Sequence, residues 1–204
     1  MKGPEELGAG LEFVGRRHEA AFVLPRRGNE VCRAGRRCHA PGVDSVAPFE
    51  ISQVTGSPEL ADVTAGLLGQ LQVWFGIPEA NAEYTESATL LTGLVALVDT
   101  APIGVLLLRR HFAEAAEIHL MAVAPSWHRR GVGRALVTSI ASDLGADGCQ
   151  ALQVKTLGAA HPDPGYARTR AFYRSVGFLP LEETTDLWPG QPCLIMVKWL
   201  ARPT

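Results

Sequence analysis

The chain has 204 residues and a mass of 21.9 kDa, which allows one ordinary domain with an appendage and excludes two large domains. Apolar residues make up 47% of the sequence, which is enough for a sizeable core. The formal net charge is only -2, so the chain as a whole lacks the basic excess of nucleic-acid-binding proteins. We therefore expect a globular protein that binds no nucleic acid.

The cysteines, the N-terminus and one long apolar run favour a cytoplasmic protein that binds no membrane. The irregularly spaced cysteines are Cys32, Cys38, Cys149 and Cys193. A chain of this length does not depend on a disulfide framework. Glu5 and Glu6 stand where a secretory signal carries positive charge. Residues 90–108 approach the length of a membrane span, but turn-forming residues at 99–102 interrupt them, and we interpret them as two buried strands of a hairpin.

Residues 1–48 are predicted to be a disordered N-terminal extension. They are rich in Gly, Arg and Pro and show no sustained hydrophobic period. Cys32, Cys38 and His39 could contribute to a metal site, but no second ligand pair with zinc-finger spacing follows. We therefore expect unpaired thiols there and no metal.

Residues 49–200 are predicted to form one mixed α/β domain, because strand and helix periodicities alternate along them. The predicted elements, in chain order, are a strand over 49–54, helices over 58–72 and 79–88, strands over 94–98, 103–108 and 116–123, a helix from 132 that Gly145 ends, a strand over 151–156, a helix over 166–176, and strands near 178–183 and 193–199.

Residues 121–135 join the end of a predicted strand to the start of a predicted helix. A helix N-terminus presents free N–H groups and the positive end of the helix dipole, so it can bind a phosphate. Gly131 and Gly133 let the backbone approach such a ligand, and Arg129, Arg130 and Arg134 add positive charge that suits a pyrophosphate. The alternative is a surface loop with solvated arginines.

Other phosphate motifs do not fit this segment. Leu136 stands where a dinucleotide fingerprint has its third glycine, and Val154 stands where the acidic ribose ligand would lie. The segment resembles instead the pyrophosphate-binding loop of the GCN5-related N-acetyltransferase (GNAT) superfamily, Gln/Arg-x-x-Gly-x-Gly/Ala. His128 replaces the usual Gln or Arg.

A second segment, residues 166–178, is similar to another signature of the same superfamily, Asn-x-x-Ala-x-x-Phe-Tyr-x-x-x-Gly-Phe. Tyr166 and Thr169 replace its Asn and Ala, whereas Tyr173 matches its tyrosine. The resemblance implies an α/β (α+β) fold in which helices flank a single mixed, mostly antiparallel central sheet.

The resemblance also implies that acetyl-CoA is the co-substrate and that no metal is needed. The strand before the loop would pair with the pantetheine arm through Met121, Ala122 and Val123, and the loop would hold the diphosphate. The implied loop residues are His128, Arg129, Arg130, Gly131, Val132, Gly133, Arg134 and Ala135.

Tyr173 is the predicted general acid. An amine that attacks a thioester must lose a proton, and the departing thiolate must gain one. A phenol with an ordinary pKa of about 10 stays protonated at neutral pH and can donate to sulfur. The alternative is that Tyr173 only packs against Phe172 and Phe178.

Glu117 is the first candidate for the general base. In many members of the superfamily a Glu at this strand position deprotonates the amine through water, and His119 is the second candidate here. The period of two predicts that Glu117 shares one face of its strand with His119, Met121 and Val123. The alternative is an ordinary exposed carboxylate.

The acceptor side is predicted at residues 74–84, where this superfamily builds its acceptor wall. Aromatic and acidic side chains there could hold a cationic amine, and Asp163, Asp186 and Trp188, on predicted loops, could close the other side. Each of these residues could equally be solvated or part of the core.

These features predict an acyltransferase that moves an acetyl group from acetyl-CoA to the primary amine of a small molecule by direct attack. One alternative is a non-catalytic acyl-CoA-binding or regulatory module. Another is an acetyltransferase of protein N-termini or lysines. A homodimer is compatible with the sequence.

Overall fold

A seven-stranded sheet forms the centre of the computed structural model, which describes residues 49–188 and 190–201. The strands are β1 Glu50–Val54, β2 Thr92–Val98, β3 Ala101–Arg110, β4 Ala115–Val123, β5 Ala151–Leu157, β6 Leu179–Trp188 and β7 Gln191–Trp199. Their order across the sheet is β1-β2-β3-β4-β5-β7-β6, and of the six neighbouring pairs only β4 and β5 are parallel. The prediction of a single mixed, mostly antiparallel sheet is confirmed.

Four helices flank this sheet in the described part of the chain. They are α1 Pro58–Gly69, α2 Pro78–Ala88, α3 Val132–Ala146 and α4 Pro164–Ser175, and a short 3-10 turn, Pro125–Trp127, precedes α3. The predicted order of strands and helices is confirmed. The predicted extension over residues 1–48, with Cys32 and Cys38, lies outside the described residues.

Several element boundaries differ from the prediction by one to five residues, and three of them have a clear structural cause. Helix α1 ends at Gly69, where Gln70 caps it through backbone bonds to Leu67 and Leu68. Strand β6 continues to Trp188, because β7 still pairs with it there. Strand β3 begins at Ala101, because Asp99 adopts a positive φ of 54° and permits a tighter hairpin turn than the sequence suggests.

Two apolar clusters cover the two faces of the sheet. The first cluster includes Leu106 and Ile118 and packs against α3 through Leu136 and Ile140. The second cluster includes Leu107 and Leu120 and packs against α1. Within the described residues, no helix is long and apolar enough to cross a membrane. The run over residues 90–108 instead lies mainly in the β2–β3 hairpin, as predicted.

Strands β4 and β5 diverge halfway along their length. They pair from Ala115 and Ala151 only as far as Ile118 and Val154. Beyond that point β4 stays paired with β3 up to Val123, and β5 stays paired with β7 up to Leu157. The result is an opening in the sheet whose two sides are the free edges of β4 and β5.

A β-bulge at His119 changes which face the side chains of β4 occupy. Leu107 pairs with Leu120 and Leu108 pairs with Ile118, so His119 is an extra residue in β4. Glu117, His119 and Leu120 therefore lie on the α1 face, whereas Met121 and Val123 pack against the cluster on the α3 face. The prediction that all four candidate residues share one face is wrong for Met121 and Val123.

Candidate active site

The N-terminus of α3 presents backbone N–H groups at the wide end of the opening. The first hydrogen bond within the helix runs from the N–H of Ala135 to the oxygen of Gly131, at 2.9 Å. The N–H groups of Val132, Gly133 and Arg134 consequently have no acceptor within the helix, and no side chain caps it. Gly131 has a φ of 86°, which a residue with a side chain adopts only under strain.

His128 joins the loop to the end of β4. Its Nε2 lies 2.7 Å from the carbonyl oxygen of Val123, and its ring packs edge-on against Trp74 at 5.4 Å. The histidine that departs from the family pattern thus donates a hydrogen bond to the strand and fixes the position at which the chain leaves β4.

The three loop arginines have exposed side chains in different environments. Arg129 adopts a positive φ of 62°, and the guanidinium of Arg130 lies over the ring of Trp127 at 5.3 Å. Arg134 instead donates to the carbonyl and hydroxyl oxygens of Ser175, each at 3.2 Å, at the end of α4. Within the described part of the chain, Arg129 and Arg130 are therefore the loop arginines whose guanidinium groups donate no hydrogen bond to the protein.

The free edge of β4 offers the backbone groups of alternate residues to the opening. The N–H of Ala124 donates to Ile103 beside β3, at 2.9 Å. Because successive residues direct their backbone groups to opposite edges, Ala122 also faces β3, whereas Met121 and Val123 face the opening. Of the three residues predicted to pair with pantetheine, Met121 and Val123 thus direct backbone groups toward the opening and Ala122 does not, and His128 already contacts the Val123 oxygen.

Tyr173 is almost completely buried, with 5% of its surface exposed. Its ring packs edge-on against Phe172 at 5.3 Å and Phe178 at 5.4 Å. Burial raises the pKa of Tyr173 far above its ordinary value of 10, and Tyr84 adds to the effect. The phenol is therefore protonated throughout the neutral range.

Glu117 lies at the point where the strands separate, and three side chains bind its carboxylate. Lys155 donates to both oxygens, at 3.0 and 2.8 Å, while Gln153 donates to Oε2 at 3.0 Å and His111 Nε2 lies 2.8 Å from it. Burial favours the neutral acid, but the hydrogen bonds from Lys155 and His111 outweigh it and lower the pKa of Glu117. The carboxylate is ionised at neutral pH.

His119 is half-buried on the same face as Glu117. Its Nε2 lies 3.4 Å from Arg109 Nη2, and its ring packs against Tyr84 of α2 at 5.3 Å. Burial lowers the pKa of His119, and the charge of Arg109 lowers it further. The imidazole is therefore neutral at physiological pH.

Tyr84 links the two faces of the sheet electrostatically. Burial raises its pKa, and Glu83, Tyr166 and Glu117 contribute in the same direction. Tyr84 also contributes to the raised pKa of Tyr173.

The predicted acceptor residues separate into two groups. Trp74 contacts α4 directly, because its carbonyl oxygen accepts a hydrogen bond from the Tyr166 hydroxyl at 3.2 Å. Asp163 caps α4 by accepting from the N–H of Gly165. Asp186 and Trp188 lie within β6 rather than on a loop, because that strand is longer than predicted.

Sequence reasoning missed Arg109, His111, Gln153 and Lys155. Gln153 and Lys155 alternate on β5, but only the parallel pairing of β5 with β4 places them beside Glu117. Within residues 49–188 and 190–201, no group of three or more His, Cys, Asp or Glu side chains could hold a metal ion.

The residues present fit coenzyme A at two places. Among the described residues, the N-terminus of α3 has amides without an acceptor for a diphosphate, and the edge of β4 beyond Ile118 has backbone groups without a partner strand for an extended amide chain. A Cβ on Gly133 would come 3.3 Å from Phe172, so the absence of a side chain keeps the helix end open.

Residues 91–180 match the family model of the acetyltransferase (GNAT) domain. This range contains β2 to β5, the loop, α3 and α4, and therefore the whole opening. Over these residues, which are somewhat less than half of the chain, the sequence is similar to the acetyltransferases of the GNAT family. No curated protein matches its sequence significantly.

Several solved structures share the fold at low sequence identity. A GNAT-family acetyltransferase from Desulfovibrio desulfuricans is 20% identical, with a TM-score of 0.64 over 74% of this chain and 99% of that one. The ribosomal-protein-S18-alanine N-acetyltransferase of Escherichia coli is 18% identical, with a TM-score of 0.60 over 76% and 96%. An aminoglycoside 6'-N-acetyltransferase complexed with coenzyme A is 18% identical, with a TM-score of 0.59 over 76% and 99%.

Proposed function

We propose that this chain is an acetyl-CoA-dependent N-acetyltransferase whose acceptor is the primary amine of a small molecule. The opening between β4 and β5 carries the proposal, because it begins beside Glu117, where the pairing of the two strands ends, and leads toward the amides at the N-terminus of α3. Acetyl-CoA supplies the acetyl thioester when it is bound.

The chain's own residues would hold the co-substrate along this opening. The N–H groups of Val132, Gly133 and Arg134 would donate hydrogen bonds to the diphosphate oxygens, and Arg129 and Arg130 would add positive charge. Met121 and the N–H of Val123 would bond the pantetheine arm. Holding two reactants side by side removes much of the entropic barrier to transfer.

Two groups would move protons during direct attack of the amine. Tyr173 would donate its proton to the departing sulfur, which its raised pKa supports. Glu117 remains the first candidate to accept the amine's proton through water, because its carboxylate is ionised at neutral pH. His119 is the second candidate, because its lowered pKa keeps the imidazole neutral and able to accept a proton.

The contact between Trp74 and Tyr166 supports a small acceptor. The hydrogen bond ties the segment between α1 and α2 to the N-terminus of α4, and His161 packs against the Tyr166 ring at 5.9 Å. A site bridged in this way suits a compact amine better than an extended polypeptide.

A panel of small amines tests the proposal, with thiol release as the assay and calorimetric titration of acetyl-CoA beside it. We expect binding of acetyl-CoA and turnover with at least one amine. Binding without turnover on any amine would favour a non-catalytic acyl-CoA-binding module. Acetylated peptides in mass spectrometry without small-amine turnover would identify a protein acetyltransferase.

We also propose that residues 49–200 are the complete catalytic domain. Every element of the site lies within this range. A chain that begins at Phe49 should fold and keep the activity of the full chain. Loss of activity in a folded truncation would assign residues 1–48 to the working enzyme.

A further inference from the structure

Arg109 and Glu117 face each other across β3 and β4 without forming an ion pair. They are directly opposite in the register, where opposite charges usually attract each other. The Glu117 carboxylate is bound instead by Lys155 and Gln153 of β5 and by His111, the residue that follows β3. The Glu117 carboxylate therefore binds side chains other than Arg109, and Lys155 balances its charge.

Arg109 is left half-buried and without a carboxylate. Its one hydrogen-bond contact is the Nε2 of His119, at 3.4 Å, and no carboxylate oxygen of the described residues lies within 4.0 Å of it. Glu83 is the remaining acidic residue near His119, and its side chain is exposed and makes no ion pair with Arg109 in this part of the chain. His119 is neutral and does not compensate the charge of the guanidinium.

The position of Arg109 places this charge on the acceptor side. Arg109 touches His119, whose ring packs on Tyr84 at the end of the predicted acceptor segment. A guanidinium is a planar fork of donors whose geometry matches a carboxylate. An anion brought by the substrate would complete this arrangement.

We propose that Arg109 binds a carboxylate of the acceptor, so that the substrate is an amino acid or another amine that carries a carboxylate. This inference rests on the proposed function, since it describes the same acceptor site. The acceptor's carboxylate would lie at Arg109 beside His119, and its amino group would point toward the opening between β4 and β5.

Matched pairs of amines test the inference, with the full chain and acetyl-CoA. Each pair consists of an amino acid and the amine that lacks its carboxylate: phenylalanine with phenethylamine, histidine with histamine, and lysine with cadaverine. We expect kcat/KM to be higher for the carboxylated member of the best pair. Arg109→Gln should lower that kcat/KM by about 10- to 100-fold more than it changes the kcat/KM of the other member, because only one substrate loses a charge-assisted hydrogen bond.

Arg110→Gln is the matched control. Arg110 is the next residue along β3, but it is exposed, and its guanidinium binds Asp147, Phe112 and Ala113. The ratio of kcat/KM values for the two members of a pair should be the same for Arg110→Gln as for the unmodified chain. Arg109→Lys should recover part of the lost preference, because it restores the charge but not the fork.

The outcomes separate the inference from the function on which it rests. Equal kcat/KM values for the two members of every pair would overturn the inference, and so would an Arg109→Gln variant that lowers both values equally. Either result would leave the proposed acetyltransferase function unaffected. Absence of turnover with every amine of both kinds would remove the small-amine function, and the inference with it.

Discussion

The hydroxyl of Tyr166 donates a hydrogen bond to the carbonyl oxygen of Trp74 at 3.2 Å and so joins α4 to the segment between α1 and α2. Tyr166 stands where the resembled motif has an asparagine. Burial raises the pKa of Tyr166, and the charge of Asp163 adds to it, so the phenol remains a donor at neutral pH. The tyrosine at position 166, where the motif has asparagine, therefore joins two segments that border the proposed acceptor site.

Tyr166→Phe should loosen this connection while keeping the ring. We expect the KM for the amine to rise several-fold, because the loss of one neutral hydrogen bond has an effect of about 1 kcal/mol. The KM for acetyl-CoA should stay the same, since the loop and α3 are untouched. Steady-state kinetics with each substrate varied in turn would measure both KM values. A larger increase in the KM for acetyl-CoA than in the KM for the amine would contradict the prediction.

Gly131→Val should impair acetyl-CoA binding specifically. Valine at a φ of 86° is strained, by about 1–3 kcal/mol, and relief of that strain would move the first turn of α3. We expect the KM for acetyl-CoA to rise by about 10-fold or more, as for loss of a charge-assisted bond, with little change for the amine.

Gly148→Val is the control for Gly131→Val. Gly148 has a similar φ of 81°, and a Cβ at either position would meet no atom within 4 Å. Both variants should lose comparable stability on urea denaturation, but Gly148→Val should keep a normal KM for acetyl-CoA. If both variants raised the KM for acetyl-CoA equally, the loop at Gly131 could not be assigned to diphosphate binding.

Tyr173→Phe should slow the chemical step. We expect kcat to fall by about 10²- to 10³-fold, within the usual contribution of a general acid. Acetyl-CoA affinity by calorimetry should be unchanged, because the phenylalanine ring keeps the contacts with Phe172 and Phe178. An unchanged kcat would reduce Tyr173 to a packing residue.

Glu117→Gln should destabilise the fold in a pH-dependent way. Because the folded-state pKa of Glu117 is lower than its ordinary 4.5, its contribution is present above pH 4.5 and is lost as the pH falls through the folded-state pKa. At pH 7 we expect a loss of about 1–3 kcal/mol in the free energy of unfolding, because Lys155 is left without its carboxylate.

Urea denaturation at pH 7 and at successively lower pH would measure this dependence. The difference between the unmodified chain and Glu117→Gln should shrink as the pH falls below 4.5. A difference that stays constant with pH would show that the ion pair with Lys155 contributes nothing. In the same variant, a shifted pH profile of kcat would support Glu117 as the base, whereas an unaltered profile would favour His119 or water.

Local patterns were sufficient to predict the order of the elements and the loop. Alternation and the helical period depend on neighbouring residues. The start of α1 is likewise indicated locally, by Ser57 as the N-cap and Pro58 as the first helical residue. The position of Gly131 and Gly133 at the start of α3 follows from the same local signals.

The remaining features depend on pairing between distant segments. The bulge at His119 exists only in the register of β4 against β3, and it moves Met121 to the opposite face. Lys155 reaches Glu117 because β5 returns parallel to β4 after α3. Neither the bulge at His119 nor the contact of Lys155 with Glu117 can be inferred from the neighbouring residues in the sequence.

A crystal structure of the chain with coenzyme A tests the central claim most directly. The account predicts diphosphate oxygens within hydrogen-bond distance of the amides of Val132, Gly133 or Arg134, and the pantetheine arm between β4 and β5. Coenzyme A bound at another surface, with those amides bonded to the protein itself, would contradict it.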